Sequence, residues 1–204
     1  MNEGPAAAFD RLYAVHAVSL VRQTFLLCGR RRTAERAVAR AFHLAWERWP
    51  EVAVDRDPAG WVRAAAYECA LSPWHELLPH RRGGELREVP PEDRPLLAAL
   101  LSLPPSYRRS LVLHDGVGLG LPETAAESEA STSATASRVA RAREALNTPD
   151  LAARLSAMAG ARPVRPLPAV AIRAASERTT RRVTLAALTV ILSFATLVTA
   201  ACLW

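Results

Sequence analysis

LPPSYRRSLVLHDGVGLGLPETAAESEASTSATASRVARAREAL, the stretch from Leu103 to Leu146, decides how the rest of the chain is read. It divides into three predicted helices. The pair Pro104 and Pro105 opens the first, which carries Leu111 and Val112 as apolar positions, and Gly116 and Gly118 break it. A short second helix runs from about Leu121 to Ser128, with Pro122 and Glu123 in its first turn, where a fixed φ and an acid are both favoured. Ser131, Thr132 and Ser133 then offer a hydroxyl N-cap to a third helix that ends near Leu146. That helix bears Arg138, Arg141 and Arg143 against Glu144. Two short helices joined by a tight turn, the second hydroxyl-rich and then basic, form the pattern of a helix-turn-helix. A small helical bundle with a solvated basic face is the competing reading.

The same residues resemble region four of the extracytoplasmic-function (ECF) sigma factors of bacterial RNA polymerase. Leu103, Pro104, Pro105, Leu111, Val112, Leu113, Gly118, Leu119, Glu123, Ala125, Ser131, Ser137, Arg138, Arg141, Ala142 and Arg143 carry the likeness, in order and without a gap. The resemblance implies that the third helix enters the major groove of the −35 promoter element. The DNA-binding residues it implies are Ser131, Thr132, Ser133, Thr135, Ser137, Arg138 and Arg141, because hydroxyls and guanidinium groups can meet base edges or phosphates. Two positions depart from the pattern. Glu129 stands at the turn position usually held by Gly, which is strained if φ is positive there. Ala136 replaces the usual Lys.

Working outward, composition allows one medium domain or two small ones: 204 residues, half of them apolar. The net charge is +6, and all 26 basic residues are Arg, whose fork of donors suits phosphate. Such a chain favours nucleic acid or anionic lipid as a partner. Cys28, Cys69 and Cys202 are far apart and odd in number, so a reduced compartment is expected, with no disulfide framework and no zinc site. Residues 1–8 carry no secretory leader pattern. No cofactor is implied, and no paired catalytic carboxylates, Ser/His/Asp set or phosphate loop is found. His43, His75, His80 and His114 lie scattered, so the chain is not expected to be an enzyme.

Upstream, Phe9, Leu12, Tyr13, His16 and Leu20 recur at helical spacing and predict a helix over Phe9–Leu27, closed by Cys28-Gly29. Arg30, Arg31 and Arg32 read as a solvated connector. Thr33 caps a second predicted helix to about Trp49, with Val38, Phe42, Trp46 and Trp49 on its core face. Asp57-Pro58 opens a third, holding Trp61, Val62, Ala65 and Cys69 inward, and Pro73 stops it. This block resembles region two of ECF sigma factors through Phe9, Leu12, Tyr13, His16, Ala34-Glu35, Val38, Phe42, Ala45-Trp46, Asp57-Pro58 and Trp61-Val62-Arg63. There the resemblance implies a grip on core RNA polymerase, through Glu35, Arg36, Ala39 and Arg40, and melting of the −10 element. Arg36 and Arg40 stand where acidic or polar residues are usual, and Tyr67-Glu68 where Arg-Asn is common.

The expected fold is all-α: two small helical domains joined by a flexible linker, plus a C-terminal transmembrane helix. The boundaries are 9–77 for the region-two-like domain, 78–95 for a Pro-rich linker, and 96–147 for the region-four-like helix-turn-helix. Residues 148–182 form a Pro/Ala/Arg-rich tether, within which Leu151–Met158 can add one helix, and 183–204 a membrane span. The last is uncharged, and 22 residues at about 1.5 Å each match the hydrocarbon thickness. Arg173, Arg178, Arg181 and Arg182 before it put the domains on the cytoplasmic side of the inner membrane and the C-terminus outside. The function expected is a membrane-tethered ECF-type sigma factor. Its implied partners are core RNA polymerase, promoter DNA, the membrane and an anti-sigma factor. A sigma-fold membrane adaptor or DNA-docking protein that no longer melts promoters is the alternative.

Overall fold

The computed structural model describes residues 4–72, 89–161, 164, 166–178 and 189, and the described residues are helices and their connections. Helix α1 (Pro5–Cys28) is the axis of the molecule. Pro5 at its first position has no N–H to waste, and the helix begins four residues ahead of the predicted Phe9. It buries Phe9, Tyr13, Ala17, Leu20 and Val21, then Thr24 to Leu27 in succession. A helix buried on more than one side near its end must have neighbours on more than one side. Gly29 closes α1 at φ +67, its N–H reaching the Phe25 carbonyl at 2.7 Å. A Cβ at this glycine would also collide with Cδ1 of Leu101, far along the chain.

Helix α2 (Arg31–Glu47) starts two residues before the expected cap at Thr33, so the arginine run is not a connector. Arg30 takes the N-cap position without a side-chain cap bond, and its carbonyl accepts from the Ala34 N–H at 2.9 Å. Ala34, Ala37, Val38, Ala41, Phe42 and Ala45 face inward. A separate turn, α3 (Trp49–Val52), carries Trp49 into the same core. Phe9, Tyr13, Phe42, Trp46 and Trp49 form an aromatic cluster, mostly in edge-to-face pairs such as Tyr13–Phe42 with centroids 4.6 Å apart. Helix α4 (Pro58–Leu71) begins as expected at Asp57, whose carboxylate accepts from the Gly60 N–H at 2.9 Å, and packs on α1 and α2.

The second group is α5 (Arg94–Ser102), α6 (Pro105–Leu111), a π-helical turn (Val112–Gly116), α7 (Leu121–Glu127) and α8 (Thr132–Leu146). The π turn is marked by the Val117 N–H bonding the Val112 carbonyl at 2.9 Å. The two groups share one hydrophobic core, in which α1 meets α5, α6 and the π turn. The end of the expected flexible linker is ordered: Val89 is buried and its carbonyl accepts from Arg94 Nε at 2.9 Å.

The predicted tether also differs from the structure. Helix α9 (Leu151–Gly160) buries Leu151, Leu155, Met158 and Ala159 and packs on α1 and the π turn. A further helix, α10 (residues 169–178), buries Ile172 and Ser176. Spacings of four, three and one put the four α9 side chains on one face. Burying an aliphatic side chain contributes about 1.5–3 kcal/mol, enough to hold a segment that composition alone presents as a spacer. Among the described residues no helix is long and apolar enough to cross a membrane. The span expected over 183–204 lies, Thr189 aside, outside the described residues.

Candidate nucleic-acid interface

Helices α7 and α8 and the turn between them are built from backbone hydrogen bonds that the sequence encodes locally. The Glu129 N–H bonds the Ala126 carbonyl at 3.2 Å and the Ala130 N–H bonds the Ala125 carbonyl at 3.0 Å. This pair of bonds is a Schellman closure of α7, which needs a left-handed residue at its centre. Glu129 supplies it at φ +50, so the strain expected from the missing glycine is present. Two residues later Ser131 Oγ accepts from the Ala134 N–H at 3.2 Å and starts α8, the predicted cap.

The orientation of α8 follows from four buried positions, Thr135, Val139, Ala142 and Leu146, spaced four, three and four apart. The opposite face is open to solvent and bears Ser131, Thr132, Ser133, Ser137 and Arg141, with Arg138 half-buried at its edge. Thr135 is the exception among the predicted readers. It is fully buried on the packing stripe, where it cannot reach a base edge. Its spacing from Val139 was the available signal. Arg143 is also committed elsewhere. Its Nε donates to Asp115 Oδ2 at 2.9 Å, bracing α8 against the π turn, and this pairing raises its pKa. His114 in the same turn bonds the Leu119 carbonyl at 2.7 Å through Nδ1. An exposed helix start carrying hydroxyls, with guanidinium groups about two turns on, can accept a phosphate at its N-terminus and probe base edges beyond it.

The face of α2 read as a protein contact is arranged differently. Glu35 is half-buried and lies 3.7 Å from Arg31 one turn earlier. Arg36 and Arg40 are exposed, and Ala39 is half-buried against the core. Arg36 and Arg40 also wall a cavity of about 400 Å³ with Glu68, Cys69 and Ser72 of α4 and its cap. Burial raises the Cys69 thiol pKa, although Arg40 opposes the shift. Tyr13, under α2, has its hydroxyl pushed up to about 12 by burial.

A polar cluster that sequence reasoning missed joins α4 to α7. Arg63 Nε donates to Glu127 Oε2 at 2.8 Å and its Nη2 to Oε1, with both side chains largely buried. Hydrogen bonding to Glu127 is the main cause that raises the Arg63 pKa. Arg109 caps the end of α7 by donating to the Glu127 carbonyl. Tyr67, fully buried, donates to Gln23 Oε1 at 3.2 Å, and desolvation raises its pKa strongly. These partners lie between 18 and 64 residues apart, and no local pattern announces them.

Residues 93–146 match the family model described as sigma-70, region 4. Residues 1–92 and 147–204 lie outside that match. No curated protein matches the chain. The match supports a sigma-factor-like DNA-binding role in transcription initiation, and sigma-70 region 4 is a transcription-factor domain rather than an enzyme family.

Proposed function

We propose that this chain is an ECF-type sigma factor that docks on duplex promoter DNA through α8 and on core RNA polymerase through α2. The observation that carries the reading is the open face of a capped α8, with Thr132, Ser133, Ser137 and Arg141 exposed on the second helix of a Schellman-closed turn. The polymerase contact is assigned to Glu35, Arg36, Ala39 and Arg40. The same reading anchors the chain to the cytoplasmic face of the inner membrane through 183–204, with the C-terminus outward, and leaves room for an anti-sigma factor. The uncharged run behind Arg181 and Arg182 supports the anchor. Recovery of full-length protein from cells in the soluble fraction without detergent would sink it.

The test of the DNA contact is the salt dependence of duplex binding by the full chain. Arg138→Ala and Arg141→Ala should each weaken binding and lower the log–log salt slope by about one unit for every phosphate left without its cation. Unchanged affinity and slope in both variants would overturn the α8 assignment. A second reading, a sigma-fold adaptor that no longer melts promoters, is favoured by α4. Its Tyr67 is buried against Gln23 and its Arg63 is held by Glu127, so neither side chain is available to a strand. Run-off transcription with core polymerase separates the two readings.

A further inference from the structure

Residues 166–178 lie along the outside of α1 and α2. In α10, Ile172 and Ser176 turn inward and Ala169 packs on the shared core. Arg173 donates from Nε and Nη2 to the two carboxylate oxygens of Asp10 in α1, both at 2.9 Å. The same guanidinium lies 5.4 Å from the ring centroid of Trp46 in α2, within cation–π range. One side chain thus holds α10 to both helices. Just ahead of it, Pro166 and Leu167 share a groove of about 400 Å³ with Glu35, Arg36 and Ala39, above Tyr13, Val21 and Val38. Three of the four residues assigned to the polymerase contact therefore sit beside this segment. Its seat is shallow: Leu167 and Val170 remain 59% and 61% exposed.

We propose that residues 166–178 are a strap that covers the α1–α2 face in cis and competes with core RNA polymerase for it. The inference rests on the polymerase reading of α2. Pro166 and Leu167 wall the same groove as Glu35, Arg36 and Ala39, so a partner seated in that groove meets the strap and must displace it. A partner that binds only the open form shows an affinity reduced by the open fraction, and a strap closed nine-tenths of the time weakens binding about tenfold. Asp10 and Arg173 are partly exposed, so the clasp is one that salt and a competing surface can open.

The test uses the full-length chain titrated against core polymerase, with hydrogen exchange of 166–178 measured on the same samples. Arg173→Glu places a carboxylate against Asp10 and removes the cation from Trp46. It should deprotect the strap and tighten polymerase binding about tenfold. The charge-exchanged double variant Asp10→Arg with Arg173→Glu should return both readouts toward wild type. Ile172→Glu frees the strap by a second route, through its buried anchor. A strap deprotected by either variant with the wild-type affinity unchanged overturns the proposal. Absence of polymerase binding in the wild type and in every variant, with the strap deprotected, overturns the α2 reading and the competition together, and the missing wild-type signal tells that failure from the first.

Discussion

Glu129 holds a left-handed backbone that a side chain resists. It is exposed and has φ +50, and it centres the closure between α7 and α8. A non-glycine residue in this region is disfavoured by about 1–2 kcal/mol. Glycine removes that strain but adds freedom to the unfolded chain, worth about 0.5–1 kcal/mol in the other direction. Glu129→Gly should therefore stabilise the protein by up to about 1 kcal/mol, and Glu129→Val should destabilise it by more than that, since a β-branched residue tolerates positive φ least. Urea unfolding midpoints of the two variants check this; a lower midpoint for the glycine variant would contradict it. The backbone of the turn is legible in the sequence because its signals are local, from Pro122 to Ser131. Thr135 is different: its hydroxyl suggests a reader, but its spacing to Val139, Ala142 and Leu146 puts it on the packing stripe, and the spacing wins.

At the scale of elements, α4 and α7 meet through one ion pair. Arg63 and Glu127 are each at least four-fifths buried by side chain, and Arg109 ties the same residue's carbonyl. Removing the carboxylate leaves a guanidinium largely out of water with Asp57, 3.6 Å away, as its remaining carboxylate, whereas removing both partners leaves no stranded charge at that position. Glu127→Ala should cost about 2–3 kcal/mol, and adding Arg63→Met should restore part of it. A double-mutant cycle in urea measures the coupling, and simple additivity of the two losses would refute the pairing. Elements whose ends are set by local chemistry, such as α4 from Asp57-Pro58 and α8 from Ser131, were legible in the sequence. Helix α9 was half-legible, since its apolar spacing was visible but its partner was not. The packing of α10 was not legible at all: Arg173 finds Asp10 across 163 residues, and the prolines ahead of it suggested only extension.

The described residues share one interior where two were expected. Its halves touch where Gly29 ends α1 and faces Leu101 of α5. Position 29 thus answers to two demands from different parts of the chain, a left-handed backbone and the absence of a Cβ. In a saturation library read by abundance in cells, glycine should stand far above all other residues there, with Asn next because it tolerates that backbone best. Shortening the neighbour, Leu101→Ala, lifts only the second demand. The ranking at 29 should then compress, Asn and Ala rising while Val and Ile stay depleted. Such background-dependent epistasis between a turn and a helix far along the chain would trace the seam between the halves by genetics alone, and an unaltered ranking in the Leu101→Ala background would place the seam elsewhere.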